Sequence, residues 1–179
     1  MSDNEVKFLD AFGAWLRTLG EDAEQLGAVL ASTEAAPGAR QAAAGGLNYL
    51  FKSLDLIPDG IDDIGYLDDA FVLRVAAAQA QQDGALAGHA GALRLAEEDS
   101  LVRDFLGESY SRLDKYVAGL RTGAARGRTV QEIVGSDKML EEFVADVKGF
   151  ATSYQAPTWS RNPKNLIKLR AFFDAKLPR

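Results

Sequence analysis

Apolar residues recur every three or four positions through most of this chain, and that spacing constrains its fold more than any other feature. Val6, Leu9, Phe12, Leu16 and Leu19 fall on one helical face, and Gly20 is expected to close that helix. A second helix is predicted over 22–33, a break at the "APG" of 36–38, and a third helix over the alanine-rich run 39–53. The pattern resumes over 66–82 with Leu67, Ala70, Phe71, Val75 and Ala78 on one face. Gly84, Gly88 and Gly91 then weaken it, so a short or bent helix is expected there. A long helix is predicted from Ser100 through Leu120, interrupted by "RTGAARGRT". Ser136 is placed to cap a helix carrying Met139, Phe143, Val147 and Phe150. After the linker "APTWSRNP", Asn162-Pro163 opens a last helix through Lys176. No segment alternates as a strand does. The expected class is all-α, a single compact helical domain of about six to eight helices with a C-terminal amphipathic helix.

With 179 residues, 47% of them hydrophobic, the chain has enough apolar side chains for a real core. The absence of cysteine excludes disulfides, thiolate nucleophiles and cysteine-ligated metal centres, and suits a reducing compartment. The acidic opening "MSDNEVKFLDAF" lacks the basic n-region of an export signal, and no uncharged apolar run spans a bilayer, so a cytoplasmic location is expected. Charge is unevenly spread. Residues 1–156 carry 14 basic and 25 acidic side chains, whereas 157–179 carry six and one, which divides the chain into an acidic helical body and a basic tail. An acidic body repels phosphate backbones, which argues against a nucleic-acid partner.

The long interruption of the helical pattern is Leu54 to Ala70, "LDLIPDGIDDIGYLDDA". Pro58 fixes its own φ and drives Ile57 to extended geometry, so the third helix must end before it. Leu54, Leu56, Ile57, Ile61, Ile64 and Tyr66 are too apolar for a solvated loop and are expected to plug a corner into the core. Asp68 and Asp69 fall in the first turn of the next helix, where negative charge is favoured, and Asp59 is placed to receive N–H groups of the turn at Pro58-Gly60.

"LDLIPD" at 54–59 followed by "GYLDDA" at 65–70 resembles the signature of the YkvA-like family, a bacterial domain of unknown function, approximately S-P-I-D-L-I-P-D-x-I-P-x-x-G-Y-L-D-D. The resemblance covers about 40 residues within 39–82. It places the family's acids on Asp55, Asp59, Asp68 and Asp69, its helix breaker on Pro58 and its glycine on Gly65. The family's proline before the first acid is Ser53 here, and its second proline is Asp62, which makes this corner less rigid and more acidic. The resemblance implies a fold element and no reaction.

Six aspartates in so short a segment repel one another unless a cation or a base such as Arg40, Lys52 or Arg74 offsets them. Asp55, Asp59, Asp68 and Asp69 are therefore candidate ligands for Mg²⁺, Mn²⁺ or Ca²⁺, in a hydrolase where Asp62 would orient water. The spacing is not that of an EF-hand, because Ile57 and Tyr66 occupy positions that need acids. The competing reading is caps and salt bridges. No catalytic residue is assigned. His89 is the sole histidine, so paired-histidine motifs are excluded, and "GESYS" at 107–111 misses the nucleophile elbow by its last residue. "GAARGRT" at 123–129 has neither the spacing nor the lysine of a phosphate loop, and reads as a flexible linker.

The tail carries Leu166, Leu169, Phe173 and Leu177 at helical spacing, with Lys164, Lys168, Arg170 and Lys176 mostly off that stripe. Such a helix docks on its own acidic body, enters a partner's groove, or lies on an anionic membrane. The sequence supports a helical interaction or scaffold module, with Asp62 and Asp63 at the corner and Lys164, Lys168, Arg170 and Phe173 in the tail as candidate protein contacts. The rival readings are the metal-dependent hydrolase and peripheral membrane attachment.

Overall fold

The computed structural model describes every residue except Asp62 and Ala85. Its described residues form one all-helical domain, with eight α-helices and a single two-residue β-ladder. Helix α1, Asp3–Ala31, is continuous where the sequence suggests two helices. It opens on a capping box in which Ser2 accepts from the Glu5 N–H and Glu5 accepts from the Ser2 N–H. Gly20 does not end it. A Cβ there would lie 3.1 Å from the Ala151 carbonyl oxygen, so this glycine admits the backbone of a later helix.

Helix α2, Pro37–Tyr49, starts on its proline and buries Ala39, Ala42, Ala43, Ala44, Gly45 and Gly46. These small residues let it approach α3, Leu67–Asp83, so closely that a Cβ on Gly46 would sit 2.5 Å from the Ala76 Cβ. The sequence gives α3 one apolar face, yet Leu67 through Ala77 are all buried, because α3 packs against α1, α2 and α4 together. Helix α4, Ala90–Leu106, runs through Ser100, where a new helix is expected, and ends at Gly107 with φ of 56°. Gly84 and Gly88 lie outside it, which is why it forms in spite of them.

After a 3₁₀ turn at Gly107–Ser109 comes α5, Tyr110–Gly119, then a second 3₁₀ turn at Leu120–Thr122. The expected flexible linker is a small hairpin: β1, Ala124–Ala125, pairs antiparallel with β2, Arg128–Thr129, across Arg126 and Gly127, both at positive φ. Arg128 pairs with Asp146 at 2.7 Å, Arg121 with Asp83 at 2.6 Å, and Arg126 lies over the Phe51 ring, so each arginine of the segment is anchored to the body. Helix α6, Val130–Gly135, starts on a Thr129–Glu132 capping box; α7, Asp137–Ser153, starts on Ser136 and α8, Pro163–Lys176, on Asn162, both as the sequence predicts.

The core is centred on Phe8, Phe12, Trp15, Phe71, Phe105 and Phe173, with ring centroids 5.0–5.9 Å apart. Arg74 is buried among them. Its guanidinium lies 4.0 Å from the Trp15 ring and pairs with Asp22 at 3.0 Å and Glu98 at 2.8 Å, while Arg94 closes the network on Asp22 at 2.7 Å. Helix α8 docks on the body through buried Leu166, Leu169 and Phe173, followed by Leu177. Residues 154–162 strap it down: the Tyr154 hydroxyl donates to Leu16 O at 2.6 Å, Trp159 Nε1 donates to Leu9 O at 2.8 Å, and Arg161 pairs with Asp10 at 2.9 Å. Among the described residues no helix is long and apolar enough to cross a membrane.

Candidate functional site

The chemistry of the segment between α2 and α3 begins with its backbone. Helix α2 ends at Tyr49, and three consecutive i→i+3 hydrogen bonds carry the chain to Lys52 before Pro58. The chain then turns twice more, through Ile61 N–H to Pro58 O at 3.1 Å and Gly65 N–H to Ile61 O at 2.9 Å. Gly65 is required at that place, since a Cβ on it would lie 2.2 Å from the Asp59 carbonyl oxygen. Asp63 and Tyr66 have φ of 69° and 67°, left-handed backbone uncommon outside glycine, and Tyr66 opens α3 without a side-chain cap. Leu56, Ile57, Ile64 and Leu67 are buried and hold this turn against the core, as their apolar character predicts.

Leu54 departs from that expectation. It is 82% exposed at the rim, beside exposed Pro58 and Asp59 and half-buried Asp55.

Asp68 and Asp69 are both buried. Asp68 ties the incoming strand of chain to the helix: its Oδ2 accepts from the Tyr49 hydroxyl at 2.5 Å and from the Ile57 N–H at 3.2 Å. The Tyr49 hydroxyl in turn accepts from the Leu56 N–H at 2.7 Å. Asp68 thus serves the corner that precedes it, and both of these donors lie outside the helix it was expected to cap. The second oxygen of Asp68, Oδ1, and Oδ2 of Asp69 are buried without a hydrogen-bond partner. Asp59 accepts no hydrogen bond from the turn among the described residues, contrary to the sequence expectation.

The electrostatics follow from burial and from likeness of charge. Burial first, then the Asp59 and Asp68 carboxylates, pushes Asp55 up to about 7. Partial burial of its carboxyl raises Asp59, although the residue as a whole is exposed. Burial raises Asp68 to about 6 in spite of its Tyr49 and Ile57 donors. Asp69 is held well above the carboxylate range by burial, then by Asp68, Asp59 and Asp55 in that order. The same negative charge, added to burial, raises the Tyr49 phenol and lifts Tyr116 to about 12.

The bases expected to offset these acids are engaged elsewhere. Arg74 serves Asp22 and Glu98, and Arg40 donates to Leu30 O at 2.8 Å. Lys52 lies over the Tyr116 ring at 5.7 Å and acts on Asp55 only through space. No ion pair reaches Asp55, Asp59, Asp68 or Asp69 among the described residues.

The four acids singled out in the sequence therefore feel one another's charge. Among the described residues, however, no group of three or more acidic or histidine side chains is arranged to hold a metal ion. Asp62, expected to orient water or meet a partner, lies outside the described residues. Asp63 accepts from the Ser160 hydroxyl at 3.3 Å, so the strap meets the corner there. In the tail, Lys164, Lys168 and Arg170 are exposed, whereas Phe173, expected among the contact residues, is a core side chain stacked on Phe71 at 5.1 Å. It belongs to the apolar stripe that docks α8. His89 is half-buried and precedes α4. Tyr49 is the participant that sequence reading missed. It sits in an alanine-rich helix, and nothing in its local pattern signals a phenol aimed at an acid 19 residues away.

The profile of a family described as "Protein of unknown function (DUF1232)" matches residues 39–74. That stretch covers most of α2, the whole corner and the first half of α3. No curated protein and no solved structure matches the chain.

Proposed function

We propose that this protein is an interaction module of YkvA-like type whose acidic corner receives a basic segment of a protein partner in the cytoplasm. The observation that supports it is the uncompensated charge: Asp55 and Asp59 stand at the rim with no cation paired to them among the described residues, beside the exposed Leu54 and Pro58. A basic side chain docking there relieves like-charge repulsion, and Leu54 offers an apolar contact next to it. The rigid seat under the rim, fixed by Tyr49, Asp68 and Gly65, keeps the loop in one shape before the partner arrives, which lowers the ordering cost of binding.

The test uses a hexa-arginine peptide with the full chain and two double variants. Saturable binding that weakens with salt and is lost in Asp55→Asn/Asp59→Asn, yet kept in Glu141→Gln/Glu142→Gln on α7, is the expected result. Equal loss in both variants, or no saturable binding, overturns the reading.

A divalent-ion hydrolase would ask for a ligand set that the described acids do not form. Membrane attachment has one observation in its favour. Ile167 is 69% exposed on α8 beside Lys164 and Lys168, a pattern suited to an anionic lipid surface. Co-sedimentation with phosphatidylserine vesicles, compared between the wild type and Ile167→Ser, tests it; equal sedimentation of the two removes it.

A further inference from the structure

Helix α7 runs antiparallel to α1: a Cβ on Gly20 would lie 3.2 Å from the Ala151 Cα, and one on Gly27 would lie 3.7 Å from Val147 Cγ1. Beyond Gly27, α1 offers its neighbour only Ala28 and Ala31, too little side chain to cover the flank of α7. A groove results, made of two cavities of about 240 and 440 Å³ that share Ala31, Val144 and Lys148. Leu140 and Val144 stand half-buried on its wall, and Ala28, Ala31 and Ala145 are exposed beside them, so apolar surface continues from the core out to solvent.

The charges of the groove have a direction. Asp137 and Glu141 line it near the start of α7 and Lys148 lines it toward the end, with Leu140, Val144 and Ala145 between the extremes. Glu141 and Lys148 share a helical face but stand about 10 Å apart along the axis, too far to pair within one chain. Neither has an ion-pair partner among the described residues, whereas Lys138 and Glu142 on the same helix meet at 4.0 Å. The midpoint between Glu141 and Lys148 falls between Val144 and Ala145. A second α7 laid antiparallel on the first, about a two-fold axis at that midpoint, sets each Lys148 against Glu141 of the other copy. The same operation puts Val144 opposite Ala145 and Asp137 opposite Thr152, so no acid on α7 meets another acid. Glu24, the remaining charge of the groove, stands on α1 to one side of that contact line.

We propose that this groove is a self-association surface, through which two copies of the chain pack α7 antiparallel on α7, with reciprocal Lys148–Glu141 pairs flanking an apolar centre at Leu140, Val144 and Ala145. The inference is independent of the acidic corner, since neither Asp55 nor Asp59 lines the groove. A second copy is favoured over a foreign segment because the pattern complements itself. A wholly acidic rim calls for a basic partner, whereas a face with acid at one end and base at the other is matched by its own reversed image. Size sets the strength. From Asp137 to Lys148 the face is about 17 Å long, and two helices side by side make it about 20 Å wide. That is less than the roughly 800 Å² per partner of a stable complex, so a dimer of micromolar Kd is expected.

The experiment is sedimentation equilibrium of the full chain from about 1 µM to about 500 µM, where a monomer–dimer equilibrium that weakens with salt is expected. Lys148→Glu and Glu141→Lys each set like charges opposite one another at two places, and each is expected to raise the dimer Kd about tenfold. The double variant Lys148→Glu/Glu141→Lys is expected to restore it. An equal mixture of the two single variants is expected to form heterodimers more tightly than either variant associates with itself. Both positions are exposed, so every variant is expected to keep the wild-type circular dichroism and the melting temperature of the dilute protein. The chain has no cysteine of its own, so Ala145→Cys reports the axis directly: air oxidation is expected to link it into a dimer and to leave Ser111→Cys, on α5, monomeric. A wild-type chain that stays monomeric throughout the range overturns the proposal. So does association that survives Ala145→Arg, or that the double charge swap fails to restore. Binding of a fluorescent fatty acid by a monomeric wild-type chain, lost in Ala145→Arg, gives the groove to a lipid and overturns the second copy as its occupant.

Discussion

Tyr49 and Arg74 show how single side chains hold this molecule together. The Tyr49 hydroxyl donates to Asp68 and accepts from the Leu56 N–H, so it links the end of α2, the incoming chain and the start of α3. Tyr49→Phe leaves the buried Leu56 N–H without an acceptor and is expected to cost about 1–3 kcal/mol, measured by urea unfolding. Arg74 is fully buried between Asp22, Glu98 and the Trp15 face, and burial lowers its pKa while both acids raise it. Arg74→Ala strands part of that charge and opens a cavity, and a loss of about 3–5 kcal/mol is expected in the same measurement. Asp22 keeps Arg94 as a partner, which places the expected loss nearer the lower end of that range.

Among the elements, glycines decide how closely helices and chain segments approach. Gly13 faces the strap, and a Cβ on it would lie 2.5 Å from Trp159 Cδ1. Gly13→Ala is expected to lift the indole from its seat, break its hydrogen bond to Leu9 O and shift tryptophan emission to the red, at a cost of about 1–3 kcal/mol. Gly65→Ala meets backbone instead of a mobile side chain, because the nearest atom is the Asp59 carbonyl oxygen. It is expected to destabilise the protein more than Gly13→Ala does, a difference that parallel thermal melts would read.

The whole molecule carries a pH dependence set by its corner. Asp55, Asp59, Asp68 and Asp69 all have native pKa values raised above those of the unfolded chain, where aspartate titrates near about 4. Between that value and about 7 the unfolded chain has released protons that the fold still holds, so stability falls as pH rises through this window. Chemical denaturation from about pH 4 to about pH 8 is expected to show that fall, the opposite of a protein whose acids are salt-bridged. At the same scale, removing 157–179 takes Leu166, Leu169, Phe173 and Leu177 out of the core and uncovers Phe71 and Phe105. The shortened chain is expected to melt earlier and aggregate, read by light scattering during a thermal ramp.

The helical class, the caps at Ser136 and Asn162, the break at Pro58 and the apolar stripe of the tail are fixed by the sequence alone, because each depends on backbone preference or on residues within one or two turns. The sequence also marks the four acids of the corner. Tertiary structure decided the rest, because the forces involved act between residues far apart in the chain. It kept α1 whole at Gly20 by packing Ala151 against it, carried α4 past Ser100, and anchored the 123–129 segment through Arg121, Arg126 and Arg128. It also sent Arg74 to Asp22, 52 residues earlier, and placed the Tyr49 hydroxyl on Asp68. Nothing local in the sequence distinguishes an aspartate that will meet an arginine from one that will face another aspartate. That choice is made when the helices pack, and here packing spent the nearby cations elsewhere and left the corner its charge.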